Sequence, residues 1–66
     1  MLTEQEIMNN AFKEMLAQEE GMAKKYAQLA KQITEPKLQQ MLKGMEQGAR
    51  NQYSTLSQAM SKLGIV

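Results

Sequence analysis

The sequence predicts an all-α protein, an antiparallel hairpin of two long helices, and three observations carry that expectation. Helix breakers are nearly absent, with one proline, Pro36, and four glycines in 66 residues. Apolar residues recur in steps of four and three on both sides of that proline. Helix start and stop signals bracket each half of the chain. The whole chain, 1–66, reads as a single helical-hairpin domain.

The first helix is expected over about residues 4–33. Thr3 followed by Glu6 has the S/T-x-x-E capping-box form, and Leu2 and Ile7 stand where a hydrophobic staple would close over it. No breaker follows until Thr34-Glu35-Pro36. Proline disfavours helical geometry in the residue before it and suits the first helical position, so this tripeptide reads as a tight turn. The second helix is expected over about 36–63, with Gly64 as its C-terminal cap and Lys62 in the last turn.

In the first helix the stepping runs through Met8, Phe12, Met15, Glu19, Met22, Tyr26, Leu29 and Ile33. In the second it runs through Leu38, Leu42, Met45, Ala49, Gln52, Leu56, Ala59 and Leu63. Such spacing predicts that these two rows meet in a coiled-coil-like seam. Ile7, Ala11, Leu16, Ala23, Ala27 and Ala30 flank the first row, and Met41, Tyr53 and Met60 the second. The apolar face is therefore wider than a two-helix contact covers, and a stripe of that width implies a larger bundle. A chain below about 70–80 residues also rarely builds a sufficient core alone. The expectation is a homodimer forming a four-helix bundle.

Charge points to its orientation. The chain carries 8 Lys plus Arg and 7 acidic residues, all Glu, for a net +1. Residues 1–20 and 48–66, at the terminal end of the hairpin, sum to −2, and residues 21–47, at the turn end, sum to +3. An antiparallel dimer brings unlike ends together, an effect weakened by salt.

Composition excludes several functions. Neither Cys nor His occurs, which removes disulfides, zinc fingers, haem-type ligation and thiol or imidazole catalysis. Ser54, Thr55, Ser57 and Ser61 have no base to activate them. The chain is expected to be no enzyme, with no catalytic, cofactor-binding or metal residues. A net charge of +1 supplies no nucleic-acid footprint, and Lys24, Lys25, Lys31 and Lys37 read as a solvated face. No run approaches the ~18 apolar residues of a membrane span. The acidic, polar start lacks a secretory layout, so the expected location is cytoplasmic.

Glu19 and Gln52 are the two polar interruptions of the rows. A hairpin turning near residue 35 puts them at one level, where a carboxylate needs a donor from Gln52, Tyr53 or a partner's lysine. They read as a polar layer that fixes register. Glu19 with Tyr26 also has the Glu-x6-Tyr spacing of rubrerythrin-like hairpins. The Glu-x-x-His that a ferritin-type site needs on the other helix is replaced by Ala49-Arg50-Asn51-Gln52. The layout resembles a ferritin-like half bundle whose metal site has been emptied. Seven methionines form the other unusual feature. Thioethers ligate Cu(I), but methionine at heptad spacing is ordinarily core filler. A small ligand- or metal-binding bundle, using the methionines or Glu19, is the alternative function.

The chain resembles bacterial spore coat proteins of the coat F family, whose domain is a ferritin-like hairpin. The resemblance lies in Leu2-Thr3-Glu4-Gln5-Glu6-Ile7-Met8-Asn9-Asn10, in Tyr26, in Glu35-Pro36-Lys37-Leu38-Gln39 and in Met60-Ser61-Lys62-Leu63-Gly64. It implies a structural or assembly protein made in the mother cell and associated with the spore coat, with other coat proteins as partners.

Overall fold

The computed structural model of the chain describes residues 1–65. It contains two helices, α1 (Glu4–Gln32) and α2 (Pro36–Leu63), packed antiparallel against each other. The hairpin measures 50 × 22 × 11 Å between Cα extremes, so it is a slab two helices wide and one helix thick. No helix among the described residues is long and apolar enough to cross a membrane.

Local chemistry sets each boundary. Thr3 is extended and caps α1; its side chain accepts from the Glu6 amide at 3.1 Å while the Glu6 carboxylate accepts from the Thr3 amide at 3.0 Å. Two of the donors that a helix start leaves without partners are thus satisfied reciprocally. At the other end Ile33 leaves the helix with ψ near 131°, one residue earlier than the spacing predicts. Pro36 opens α2, as expected, and Glu35 caps it by accepting from the Leu38 amide at 2.7 Å. The three-residue connection is locked from α2, because the Gln39 side chain donates to the Ile33 carbonyl at 2.6 Å and to the Ala30 carbonyl at 3.4 Å. Those carbonyls stand where α1 has run out of its own donors.

At the C-terminal end Gly64 is left-handed, with φ 68°. Its amide donates to the Ser61 carbonyl and that of Ile65 to the Met60 carbonyl, at 3.3 and 2.9 Å. This is the Schellman arrangement, which places the residue after the glycine back over the last turn. Ile65 is accordingly buried and Met60 half-buried.

The interior differs from the predicted seam. The buried residues of the helices are Ala23, Ala30 and Ala49, with Ala23 only 1% exposed. Met22, Leu29, Leu38, Met45 and Leu63, all expected on the line of contact, remain 42–51% exposed. The reason is geometric. Two lone helices touch along a narrow line, and alanine there lets the backbones approach closely. Ala23 and Ala30, which flank the first row, and Ala49 of the second row take that line; Met8, Phe12, Met15, Tyr26, Ile33, Leu42 and Leu56 of the predicted rows are half-buried beside it, and Met22, Leu29, Leu38, Met45 and Leu63 stay exposed on one broad side of the slab.

Candidate functional site

The two broad sides of the slab differ. On one, Glu19, Met22 and Tyr26 of α1 and Met45, Ala49 and Gln52 of α2 line a shallow concavity of about 340 Å3. The residues one to three turns further along the same rows continue this side: Met8, Phe12, Met15 and Leu29 on α1, and Leu38, Leu42, Leu56 and Leu63 on α2. This is the apolar face. On the opposite side, Ala27, Ala30 and Lys31 of α1 and Gln39, Lys43 and Glu46 of α2 line a concavity of about 490 Å3. Its rim is charged, and the Arg50–Glu46 pair at 2.7 Å runs along α2 there. Sequence periodicity explains the division, because the apolar rows follow one arc of each helix and Lys31, Gln39, Lys43 and Glu46 fall on another.

Glu19 and Gln52 share one level near the middle of both helices, as the hairpin register predicts. They are not a sealed pair. Glu19 is half-buried and Gln52 exposed, and no polar side chain among the described residues is buried. The hairpin's side-chain hydrogen bonds lie at helix ends and along exposed turns: Gln5 with Asn9, Gln47 with Asn51, Arg50 with Glu46, Thr55 with the Asn51 carbonyl. The donor expected for Glu19 from Gln52 or Tyr53 is therefore not supplied within one hairpin. A buried layer requires something to cover the face.

Tyr26 lies in the same concavity as Glu19, one turn beyond Met22. The methionines do not converge on one point. Met22 and Met45 line the central concavity, while Met41 projects into solvent elsewhere on α2. Among the described residues no group of three or more His, Cys, Asp or Glu stands close enough to hold a metal ion. The Glu6 carboxyl is held below its ordinary value by the Thr3 amide and then the Thr3 hydroxyl. It belongs to the helix cap.

Compared with known protein families, with curated proteins and with solved structures, the chain finds no match in any of the three.

Two features were beyond the sequence reasoning. The Gln39 clamp could have been suspected from an amide one turn into a helix that follows a three-residue turn. The alanine line had a signal as well, in Ala23, Ala27 and Ala30 spaced by four and three, but the longer row of large residues outweighed it.

Proposed function

We propose that this chain is a non-enzymatic structural or assembly protein that acts through helix–helix association, pairing with a second copy through its apolar face. The hairpin then serves as a ferritin-like half bundle, and two of them complete a four-helix bundle. The observation that carries this reading is the row of exposed large side chains on one side of the slab, Met22, Leu29, Leu38, Met45 and Leu63. Contiguous apolar surface of that kind marks an interaction site in a native protein.

The hairpin also exposes more surface than a compact chain of its size. A compact monomer of 7.5 kDa is expected to expose about 4,200 Å2, and the hairpin exposes 5191 Å2. The excess of about 1,000 Å2, taken over the whole hairpin, is of the order of the ~800 Å2 that each partner contributes to a stable protein–protein interface. Covering the face also completes a core whose fully buried helix residues are three alanines.

The test is Met45→Asp. Met45 is about half exposed in one hairpin, so an Asp there keeps access to water in the single chain, whereas in the dimer it buries an unpaired charge at a cost of several kcal/mol. Light scattering after size exclusion should report a dimer for the parent and a monomer for the variant. A parent that runs as a helical monomer defeats the reading.

The resemblance to coat F proteins extends the proposal to the spore coat, with synthesis in the mother cell and coat proteins as further partners. Expression confined to sporulation supports that extension, and expression in growing cells removes it. The Glu19 concavity between two methionines favours a second reading, a small metal- or ligand-binding bundle. Metal analysis after dialysis decides it: one or two retained equivalents, lost on Glu19→Gln, would replace the structural reading.

A further inference from the structure

We propose that the second copy docks antiparallel, α1 on α1 and α2 on α2, about a two-fold axis that crosses the apolar face at the level of Glu19. The inference rests on the homodimer proposed above and adds its symmetry, its register and the groups that meet on the axis.

An isologous interface must be self-complementary about its axis. The row on α1, with Met22 and Leu29 exposed and Met8, Phe12, Met15 and Tyr26 half-buried, has that property about Glu19. Met15 and Met22 lie one turn to either side, Phe12 and Tyr26 two turns, Met8 and Leu29 three. An antiparallel partner therefore sets Met against Met, Phe against Tyr and Met against Leu, each contact made twice. The row on α2 is symmetric as well, about a point between Ala49 and Gln52. Met45 is balanced by Leu56, Leu42 by Ala59 and Leu38 by Leu63. The two centres are independent features of two different helices, yet they fall at one height. Glu19, Ala49 and Gln52 line the same concavity. One axis satisfies both rows.

Charge at the edge of the face agrees. Lys25 borders the face beside Met22, with Gln18 and Gly21 around it. Glu14 lies three turns earlier on the same side of α1, and both residues are exposed. The proposed axis brings Glu14 of each copy beside Lys25 of the other, giving two reciprocal ion pairs. It also places each acidic terminal end against a basic turn end.

The competing arrangement turns the second copy so that the two turn ends coincide and α1 stacks on α2. It sets Glu19 against the Gln52 amide, separates Glu14 from Lys25 and gathers both basic ends. The antiparallel dimer instead brings the two Glu19 carboxylates face to face on the axis, and like charges so placed oppose association. Glu19 then acts against affinity while the paired rows hold the register.

The two arrangements are separated by distance. The sequence has no cysteine, so Thr34→Cys in the turn gives one nitroxide label per copy, read by double electron–electron resonance on the full chain. The expected separation approaches the 50 Å length of the hairpin. A separation of about 20 Å, set by neighbouring helix pairs, means coincident turn ends and overturns the proposal while leaving the dimer standing. Loss of all dipolar signal, with a monomer by sedimentation, overturns the dimer itself. Glu19→Gln supplies an independent readout. It should tighten the dimer about tenfold by removing the facing charges, and an unchanged or weaker dimer contradicts the register. Glu14→Lys should weaken association, and adding Lys25→Glu should restore it. Failure of that rescue also counts against the register.

Discussion

Replacing Ala23 with Leu adds three carbon atoms to the tightest point between α1 and α2, where the native residue is 1% exposed. The helices must separate or the new side chain must leave its preferred rotamer. Overpacking of that kind costs about 1–3 kcal/mol. In a domain of this size each kcal/mol moves the melting temperature by about 4–8 °C, so the expected drop is about 5–20 °C. Ala17→Leu is the control. It makes the same chemical change at an exposed position of the same helix, and Ala and Leu are both strong helix formers. Circular dichroism melts of the two variants and the parent, at one protein concentration, provide the comparison. If Ala23→Leu melts within about 2 °C of Ala17→Leu, the alanine line is not the contact between the helices and the large-residue seam must be.

Three further changes probe the helix ends. Gln39→Ala removes the clamp on the Ile33 and Ala30 carbonyls; it should cost about 1 kcal/mol, seen as a lower melting temperature, and Gln40→Ala on the exposed neighbour should not. Gly64→Ala forces a β-carbon into a left-handed cap with φ 68° and should cost about 1 kcal/mol, with faster amide exchange at Ile65. Glu6 titrates below its ordinary value of 4.5 because the Thr3 amide and hydroxyl hold its charged form. A lowered folded value means that its contribution is present at neutral pH and disappears as pH falls through that value. NMR titration of the Glu6 carboxyl should therefore show a midpoint below 4.5 that rises in Thr3→Ala, and an unmoved midpoint would remove the capping box from the account.

Most of the fold was legible because helix ends are written in short local motifs. Thr3 with Glu6, Pro36 and Gly64 each act through one or two backbone groups within four residues, and all three stand where the motifs place them. The common level of Glu19 and Gln52 was legible for a related reason, since a short turn leaves two long helices little freedom of register. The line of contact was legible only in part, since Phe12, Leu42, Ala49 and Leu56 of the predicted rows are buried or half-buried while Met22 and Leu29 are not. Periodicity identifies an apolar arc, but that arc spans both the alanines and the methionines, and which part faces the neighbouring helix depends on how closely the backbones approach. Hydrophobic size favours Met22 and Leu29 in a pattern count; close packing favours Ala23 and Ala30 in a pair of helices. The candidate site was legible only as a level. Its openness follows from the same rotation, which turned Glu19 toward an uncovered side.

Helix–helix association through that uncovered side is the central claim, and sedimentation equilibrium of the unaltered chain across the micromolar range tests it most directly. The account predicts a single species of twice the 7.5 kDa chain mass, dissociating on dilution with parallel loss of helical signal. A fully helical species that stays at the monomer mass throughout the range would contradict it.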